Sequence, residues 1–468
     1  MKSEVKIFER EDGQIQRVQV VSWEDWSTID FLWLKQDSVA LQAKALECFS
    51  DIYQNYLVPV MPWIFPQMVM FALPAEEEIY ALLRKCAKVP SGAGETIFYT
   101  SKRYGNVSDL LTIASIVLQE GVKIKKGKPA FKDADIEAFY RALESRGCVR
   151  IVQGKLPQTK IIPVGRFAGY LSEVEPEAKM KVNAHFFIMD AFDCATIYDQ
   201  IGTPFGLCVK NGVVETPPMY ARESLLVKKD GTSDIRELDI TDLHIEINGQ
   251  TYISGENASI YTRPARAKIK ARKGMLLAIV GRRVVAVMHD GWMPIPASGF
   301  VMEVSCEAEI EPGDKVIYRG LEDVLFGVQA GNSIIRKGVK TERFLSRFYD
   351  IYKFQRVPFP PSLYPMDFEK ARAARIALGA DQDGRPVLFW AEGKGKICYK
   401  PGEDSTGASL SEMGEIAEEL GLRDVVNLDG GGSAQILLDN VRTLHISDRN
   451  KEDNSDAERL VPLALIVR

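Results

Sequence analysis

The sequence predicts an α+β fold in which a β-rich domain follows a mostly helical accessory domain. From about residue 148 onward, short β-branched runs alternate with turn dipeptides, whereas apolar residues earlier in the chain recur at helical spacing. The chain has 468 residues, 46% of them apolar, which is enough for two or three domains with buried cores. We therefore expect a helical accessory domain over residues 1–147 and a β-rich domain over residues 148–468.

Three segments of the first domain show helical periodicity: residues 38–53, 76–87 and 133–146. The almost uncharged stretch 56–75 contains four prolines, which argue against a continuous membrane helix. We expect this stretch to be buried or to form an interface, with membrane contact as the alternative. The basic segment 123–132 is expected to be a solvated turn, with a patch that meets a polyanion as the alternative.

Turn and strand signals fill the second domain. Two-residue hairpins favour residues that accept positive φ, and five dipeptides fit: Asn211-Gly212, Asp230-Gly231, Asn248-Gly249, Asp290-Gly291 and Asp383-Gly384. The runs beside them predict strands over residues 205–209, 225–229, 243–247, 276–280 and 284–288.

One late helix is predicted between Ser409 and Gly421. Ser409 and Glu412 form a capping box, the apolar residues that follow lie on one face, and Gly421 is a typical stop. The helix leads into a strand over residues 425–428, then a glycine turn, and then a second strand over residues 434–438.

Charge and cysteine content exclude several classes of protein. A net charge of −5 provides no general field for binding DNA or an anionic membrane surface, so no nucleic-acid partner is expected. The prolines of residues 56–75 are the reason that no membrane span is expected. Seven scattered cysteines without a C-x-x-C pair argue against a disulfide framework or a zinc ribbon. The charged first residues contain no apolar signal-peptide core, which predicts a cytoplasmic location.

The most informative string is Asn-Leu-Asp-Gly-Gly-Gly-Ser at residues 427–433. Three successive glycines allow backbone N–H groups to converge on an anion, and Asp429 places a carboxylate beside them. The string lacks the lysine of a P-loop and does not complete the G-x-S-x-G elbow of hydrolases. On physical grounds alone, an ordinary glycine turn is the alternative.

This string is similar to the N-L-D-G-G-G-S signature of the phosphodiester glycosidase family. Other blocks resemble that family in the same order: residues 181–187, 203–206 with 211–212, 295–301, 311–314, 330–332 with 337–338, 375–379 and 392–394. The sequence departs from the family pattern at the pair Ala184-His185, at Ile376 and at Ala434. The resemblance covers roughly residues 148–468 and leaves residues 1–147 unexplained. It implies a hydrolase that cleaves the glycosidic bond between a sugar and a phosphodiester or nucleotide phosphate.

That reaction suggests roles for residues in the matching blocks. Cleavage creates an oxocarbenium-like centre beside a phosphate that is already a weak base, so a carboxylate and phosphate donors are needed more than a strong acid. Asp429 is the candidate carboxylate, with a turn-capping aspartate as the alternative. Arg375 is the candidate phosphate clamp, with an ion-paired sheet arginine as the alternative. Gly430, Gly431 and Gly432 would supply backbone donors.

Four further residues complete the predicted site. Asn183 and Ser433 would orient substrate hydroxyls or water, and Ser433 also belongs to the predicted phosphate site. Glu392 is the second candidate acid or base. His185 is either an additional acid, base or substrate contact or a packed, hydrogen-bonded strand histidine.

The expected partner is a small sugar-phosphate or nucleotide-sugar substrate. No cofactor is expected, because the sequence has no His/Cys cluster, no H-E-x-x-H and no calcium-loop spacing; carboxylates that meet only on folding leave a divalent metal open. Residues 1–147 are expected to mediate self-association into a homo-oligomer or docking onto the second domain. The alternative function is a non-catalytic module that binds a sugar phosphate or nucleotide, or an assembly component.

Overall fold

Antiparallel strands form nearly all of the regular structure in the part of the chain that this computed structural model describes. The described residues are 1–34, 123–125, 128–130, 149–151, 161–163, 169–188, 203–218, 222–263, 266–272, 274–342, 371–395, 399–450, 453–459 and 461–468. The chain divides into two compact units. The first contains Met1–Leu34, Gly169–Phe187 and Pro204–Arg468, and the second contains Lys35–Ala168 and Ile188–Thr203.

The described strands are, in chain order, β1 (Lys2–Glu9), β2 (Ile15–Ser22), β3 (Ile29–Trp33), β4 (Lys123–Lys125), β5 (Lys128–Ala130), β6 (Val149–Ile151), β7 (Ile161–Pro163), β8 (Met180–Asn183), β9 (Cys208–Lys210), β10 (Val213–Thr216), β11 (Arg222–Lys228), β12 (Ser233–Leu238), β13 (His244–Ile247), β14 (Gln250–Tyr252), β15 (Ser259–Thr262), β16 (Lys268–Lys270), β17 (Met275–Val280), β18 (Arg283–Met288), β19 (Trp292–Pro294), β20 (Gly299–Val304), β21 (Val316–Arg319), β22 (Val324–Val328), β23 (Ser333–Arg336), β24 (Val339–Lys340), β25 (Arg375–Asp381), β26 (Pro386–Ala391), β27 (Leu422–Asn427), β28 (Ile436–Leu438) and β29 (Leu463–Val467).

Helices are few among the described residues. One α-helix is present, α1 (Leu410–Glu419), and its ten residues are too few to cross a bilayer. The remaining helical segments are single 3-10 turns at Trp26–Thr28, Leu171–Glu173, Ile240–Asp242 and Gly431–Ser433.

The predicted α+β class, with a mostly helical accessory domain in front, is wrong. Met1–Leu34 forms β1, β2 and β3 instead of helices, and these strands belong to sheets of the first unit. In β2, the buried residues Val18 and Val20 recur every second residue and contribute to one apolar cluster. This period of two was visible in the sequence and indicates a strand.

Several predictions fall outside the described residues. They are the helices at residues 38–53, 76–87 and 133–146, the proline-rich stretch 56–75, and the boundary between residues 147 and 148. The described part of the second unit contains two short hairpins, β4 with β5 and β6 with β7. The first hairpin lies within the basic segment 123–132 that was predicted as a turn.

The largest sheet has seven antiparallel strands in the order β1-β2-β26-β25-β27-β23-β24. On one face, side chains such as Ile376 and Trp390 share a buried cluster with Val182 of the sheet β28-β8-β29-β3 and Phe326 of the sheet β10-β9-β22-β11-β12. On the other face, α1 packs against the sheet through Met413 and its apolar neighbours. The central strands are therefore buried on both faces, which explains their nearly continuous apolar sequences.

A second buried core involves the sheets β14-β13-β21 and β15-β20-β17-β18. Its members include Ile245, Leu277, Phe300 and Tyr318. This core contains none of the predicted site residues.

The structure confirms the late helix and corrects the turn predictions. Both halves of the capping box between Ser409 and Glu412 form, and Gly421 has a positive φ of 66° after α1. Two of the five dipeptides, Asn211-Gly212 and Asn248-Gly249, have positive φ at both residues. In the three Asp-Gly dipeptides only glycine has positive φ. Asp230-Gly231 and Asp383-Gly384 lie in hairpin loops longer than two residues, and Asp290-Gly291 joins β18 to β19, which pair with different strands, so none needs positive φ at both residues.

We predict that Gly379→Ala destabilises the protein by about 2–3 kcal/mol, the range expected for overpacking a buried site. A β-carbon on Gly379 in β25 would collide with the backbone carbonyl of Asp424 in β27. Urea unfolding of the full chain measures the change. Gly169→Ala is the control, because its β-carbon would lie 3.5 Å from Leu34, an ordinary contact. Equal stability of the two variants would contradict this packing.

Candidate functional site

One end of the seven-stranded sheet brings together three predicted site residues. β25 begins at Arg375, which pairs with Ala391 at the end of β26, so Glu392 follows at the same end. β27 runs antiparallel to β25 and ends at Asn427, two residues before Asp429. Strand register thus gathers Arg375, Glu392 and Asp429, which lie far apart in the sequence.

Asn183 at the end of β8 fixes the glycine turn that follows β27. Its Nδ2 donates to the Asp429 carbonyl at 2.8 Å, and its Oδ1 accepts from the Gln435 N–H at 3.0 Å. The Asp429 N–H in turn donates to the Ala184 carbonyl at 3.0 Å. Asn183 therefore positions the turn through both ends of its carboxamide, and its role in orienting substrate stays a prediction.

Each of the three glycines meets a different physical requirement. Gly430 leaves no room for a β-carbon, which would lie 2.6 Å from the Ala374 carbonyl oxygen. Gly431 has a φ of 61°, in the left-handed region that favours glycine. A β-carbon on Gly432 would collide with the side chains of Arg459 and Asp448. The run of glycines is therefore dictated by packing and backbone conformation at consecutive positions.

The backbone donors of the turn are mostly in use. The Gly431 N–H donates to the Ala374 carbonyl at 2.8 Å. The Gly430 N–H points to the Asp429 carboxylate as a hydrogen-bond donor and favours its ionised form. Among the described residues, the Gly432 N–H makes no hydrogen bond. Of the three predicted phosphate donors, Gly432 is thus the one available for an external anion.

Asp429 is a buried carboxylate of this site, with 7% of its surface exposed. Burial raises the pKa of Asp429 to about 7, compared with about 3.9 for an unperturbed aspartate. The Ser433 hydroxyl, the charge of Arg459 and the Gly430 N–H all favour the ionised form and limit this rise. Ser433 Oγ makes no hydrogen bond of good geometry, so we attribute its effect to proximity. Near neutral pH, Asp429 exists in both charged and neutral forms.

Sequence reasoning missed the ion pair beside this carboxylate. Arg459 donates from Nε and Nη2 to Asp448 Oδ2, at 3.1 and 2.6 Å. Both residues lie in the segment between β28 and β29, outside every recognised motif. The one signal in the sequence was Gly432 itself, because glycine allows close approach by another group.

Arg375 is a buried cation held by backbone carbonyls. Its Nε donates to Ala408 at 3.2 Å and its Nη2 donates to Ala371 at 3.1 Å. Burial lowers the pKa of Arg375 to about 10, so the guanidinium remains charged at neutral pH. These contacts orient Arg375 within the protein, and its predicted function as a phosphate clamp stays a prediction.

Glu392 is buried and engaged at both carboxylate oxygens. Oε2 pairs with Arg17 Nη1 at 3.2 Å, and Oε1 accepts from the His445 N–H at 2.8 Å. Arg17 precedes the part of β2 that pairs with β26, so this ion pair joins adjacent strands. The present contacts of Glu392 are structural, and its role as an acid or base stays a prediction.

His185 lies in the buried interior. Its Nε2 is 3.0 Å from the Leu207 carbonyl and 3.4 Å from Cys208 Sγ, and the ring packs beside Phe31 with centroids 6.1 Å apart. Burial lowers the pKa of His185 to about 4, so the ring is neutral at physiological pH. These contacts match the packed, hydrogen-bonded alternative for His185.

Three buried polar side chains near the turn have atoms without a hydrogen-bond partner. Neither amide atom of Asn427 has one, and the same is true of Ser433 Oγ and Asn332 Nδ2. Each such group costs about 1–3 kcal/mol. No group of three or more His, Cys, Asp or Glu residues suited to a metal occurs in the described ranges.

Comparison with known proteins finds the same family that the glycine motif resembles. Residues 241–468 match the phosphodiester glycosidase family. They form a phosphodiester glycosidase domain. This domain contains Arg375, Glu392 and the glycine turn, whereas Asn183 and His185 precede the matched residues.

Two curated relatives match 100 residues, which are 21% of this chain and 18% of each relative. Both are N-acetylglucosamine-1-phosphodiester alpha-N-acetylglucosaminidases, from Mus musculus at 30% identity and from Homo sapiens at 31%. The solved catalytic domain of the zebrafish enzyme, auto-inhibited by its pro-peptide, is 16% identical over 53% of this chain and 84% of that chain. Its TM-score is 0.24, so it carries no argument about the fold.

We predict that Asp429→Asn stabilises the folded protein at pH 8 but not at pH 4. The folded-state pKa of Asp429 is raised, so its stability contribution is complete below about pH 4 and is lost as the pH rises toward 7. Asparagine avoids that loss. The expected gain in stability at pH 8 is on the order of 2 kcal/mol. It is smaller than the raised pKa alone would give, because asparagine loses hydrogen bonds that the carboxylate accepts.

Urea unfolding at several pH values measures this effect. Asp383→Asn is the matched control, because Asp383 lies on an exposed turn, and its stability change should stay within about 0.5 kcal/mol at every pH. A pH-independent difference between Asp429→Asn and the unmodified chain would contradict the prediction.

Proposed function

We propose that this chain hydrolyses the glycosidic bond between a sugar and the phosphate of a phosphodiester or nucleotide. The phosphodiester glycosidase domain supports the reaction class. The observation that carries the proposal is a buried carboxylate, Asp429, held at a glycine turn beside the cation Arg459. Cleavage of a sugar–phosphate bond needs a carboxylate at the anomeric carbon and a cation at the leaving phosphate, and this pair supplies both.

Asp429 would act in its ionised form. As the bond to phosphate lengthens, positive charge develops at the anomeric carbon, and a buried carboxylate stabilises that charge more strongly than an exposed one does. The electron pair of the breaking bond leaves with phosphate, and water supplies the hydroxyl of the released sugar. A phosphate leaving group is already a weak base, so the reaction requires little help from a general acid.

Glu392 remains the second candidate carboxylate in this proposal. Its ion pair with Arg17 and its bond to the His445 N–H would have to loosen for it to accept a proton from water. Asn183 contributes by fixing the backbone on both sides of Asp429. The residues thus divide into one reacting carboxylate and groups that keep it in place.

The proposed substrate is a small sugar phosphodiester or nucleotide sugar. The relatives named above act on an N-acetylglucosamine 1-phosphodiester, so that sugar is a reasonable first test. Self-association through residues 1–147, the absence of a nucleic-acid partner and the cytoplasmic location stay predictions.

A substrate panel tests the proposal. We expect release of reducing sugar from at least one nucleotide sugar or sugar 1-phosphodiester, and a roughly 10²–10⁴-fold lower rate for Asp429→Asn. Asp383→Asn should retain the full rate. Binding of sugar phosphates without turnover would instead favour the non-catalytic module. The same assays with EDTA test whether activity requires a divalent metal, which the sequence leaves open.

We predict that kcat/KM rises with pH up to about 7 and then levels off. Asp429 must be ionised to act, and below its pKa of about 7 each pH unit reduces the ionised fraction about tenfold. A phosphodiester does not titrate in this range, so the profile reports the enzyme. A profile that is flat from pH 5 to pH 8 would exclude Asp429 as the essential carboxylate.

A further inference from the structure

The glycine turn lies against an arginine that no recognised motif contains. A β-carbon on Gly432 would collide with the Arg459 guanidinium and with the Asp448 carboxylate, so these groups lie directly over the Gly432 α-carbon. Gly432 does not have a positive φ, unlike Gly431 beside it. The need for glycine at residue 432 therefore comes from the space that the ion pair occupies.

Asp448 holds the Arg459 guanidinium by one edge and leaves other donors available. Nε and Nη2 both donate to Asp448 Oδ2, while Nη1 makes no hydrogen bond among the described residues. The Arg459 side chain is 28% exposed, in contrast to the buried Arg375. Arg459 is thus an oriented guanidinium with free hydrogen-bonding capacity and access to solvent.

A second free donor lies beside it. The Gly432 N–H has no partner among the described residues, and the Arg459 guanidinium packs against the same residue. A guanidinium N–H and a backbone N–H side by side are suited to two oxygens of one phosphate. The charge of Arg459 also opposes the rise in the pKa of Asp429, so the guanidinium acts electrostatically on that carboxylate.

We infer that Arg459 Nη1 and the Gly432 N–H bind oxygens of the leaving phosphate, and that Asp448 is the residue that positions Arg459. This inference rests on the proposed function and identifies its phosphate subsite. Arg375 then supports the sheet end through the Ala408 and Ala371 carbonyls instead of contacting the phosphate. The subsite places the leaving group next to Asp429, the carboxylate that stabilises the anomeric carbon.

Binding of inorganic phosphate to the full chain tests the subsite without any turnover. We expect Arg459→Gln to weaken phosphate binding about 10- to 100-fold, the value of one charge-assisted hydrogen bond, as measured by calorimetry. Arg282→Gln is the matched control, because Arg282 is also a partly exposed arginine paired with a carboxylate, Glu215, at 3.0 Å. It should bind phosphate like the unmodified chain.

Two variants separate positioning from stability. Asp448→Ala should weaken phosphate binding, whereas Asp448→Asn, which can still accept hydrogen bonds from Arg459, should bind phosphate almost as well as the unmodified chain. The two variants should unfold at the same urea concentration, so that the difference in binding reports positioning. With a turned-over substrate, Arg459→Gln should also shift the pH profile of kcat/KM upward, because removing the cation further raises the pKa of Asp429. The groups that lower the pKa of Asp429, and therefore affect this pH profile, are Arg459, Ser433 and the Gly430 N–H.

The outcomes distinguish this inference from the proposed function. Phosphate binding that depends on Arg459, without turnover of any substrate, supports the subsite and refutes hydrolysis. Turnover with unchanged KM and unchanged phosphate binding in Arg459→Gln refutes the subsite and leaves hydrolysis intact. Failure of the unmodified chain to bind phosphate at millimolar concentrations, or loss of binding in a folded Arg375→Lys but not in Arg459→Gln, also overturns the inference.

Discussion

Two backbone hydrogen bonds hold the glycine turn between two sheets. The Asp429 N–H donates to Ala184 beside the four-stranded sheet, and the Gly431 N–H donates to Ala374 beside the seven-stranded sheet. Asn183 strengthens the first connection from β8. A turn fixed on both sides cannot move away from its neighbours, so Asp429 stays buried and Arg459 keeps its place over Gly432. The whole site therefore depends on close backbone approach that side chains larger than hydrogen would prevent.

Local features of this protein could be predicted from the sequence, and features created by distant pairing could not. The capping box of α1 and the glycine turn involve residues within a few positions of each other, and both are found where their motifs indicated. The three strands within Met1–Leu34 were missed because the helical pattern of later residues was extended to them. Arg459 was missed for a related reason: nothing near it in the sequence shows that the fold brings it to Gly432.

Residue types alone also could not indicate burial. Arg375, Glu392 and His185 were selected for their chemistry, but the structure buries all three and engages them with carbonyls, an ion pair or a packed aromatic ring. Asp429 is different, because it combines burial with an incompletely neutralised charge. Keeping such a group opposes folding, and proteins tolerate that cost mainly where the group has a function.

The pairing of β29 with β3 joins segments from opposite regions of the chain. Leu463 lies beside Trp33 and Val467 beside Ile29, while the other edge of β29 pairs with β8. During synthesis on the ribosome, β3 emerges hundreds of residues before the strand that separates it from β8. The four-stranded sheet that supports Asn183 can therefore close only after Leu463–Val467 has been made, and contacts of such long sequence separation fold slowly. Until β29 has been made, β3 lacks the strand with which it pairs in the described sheet, and unpaired strand edges favour aggregation.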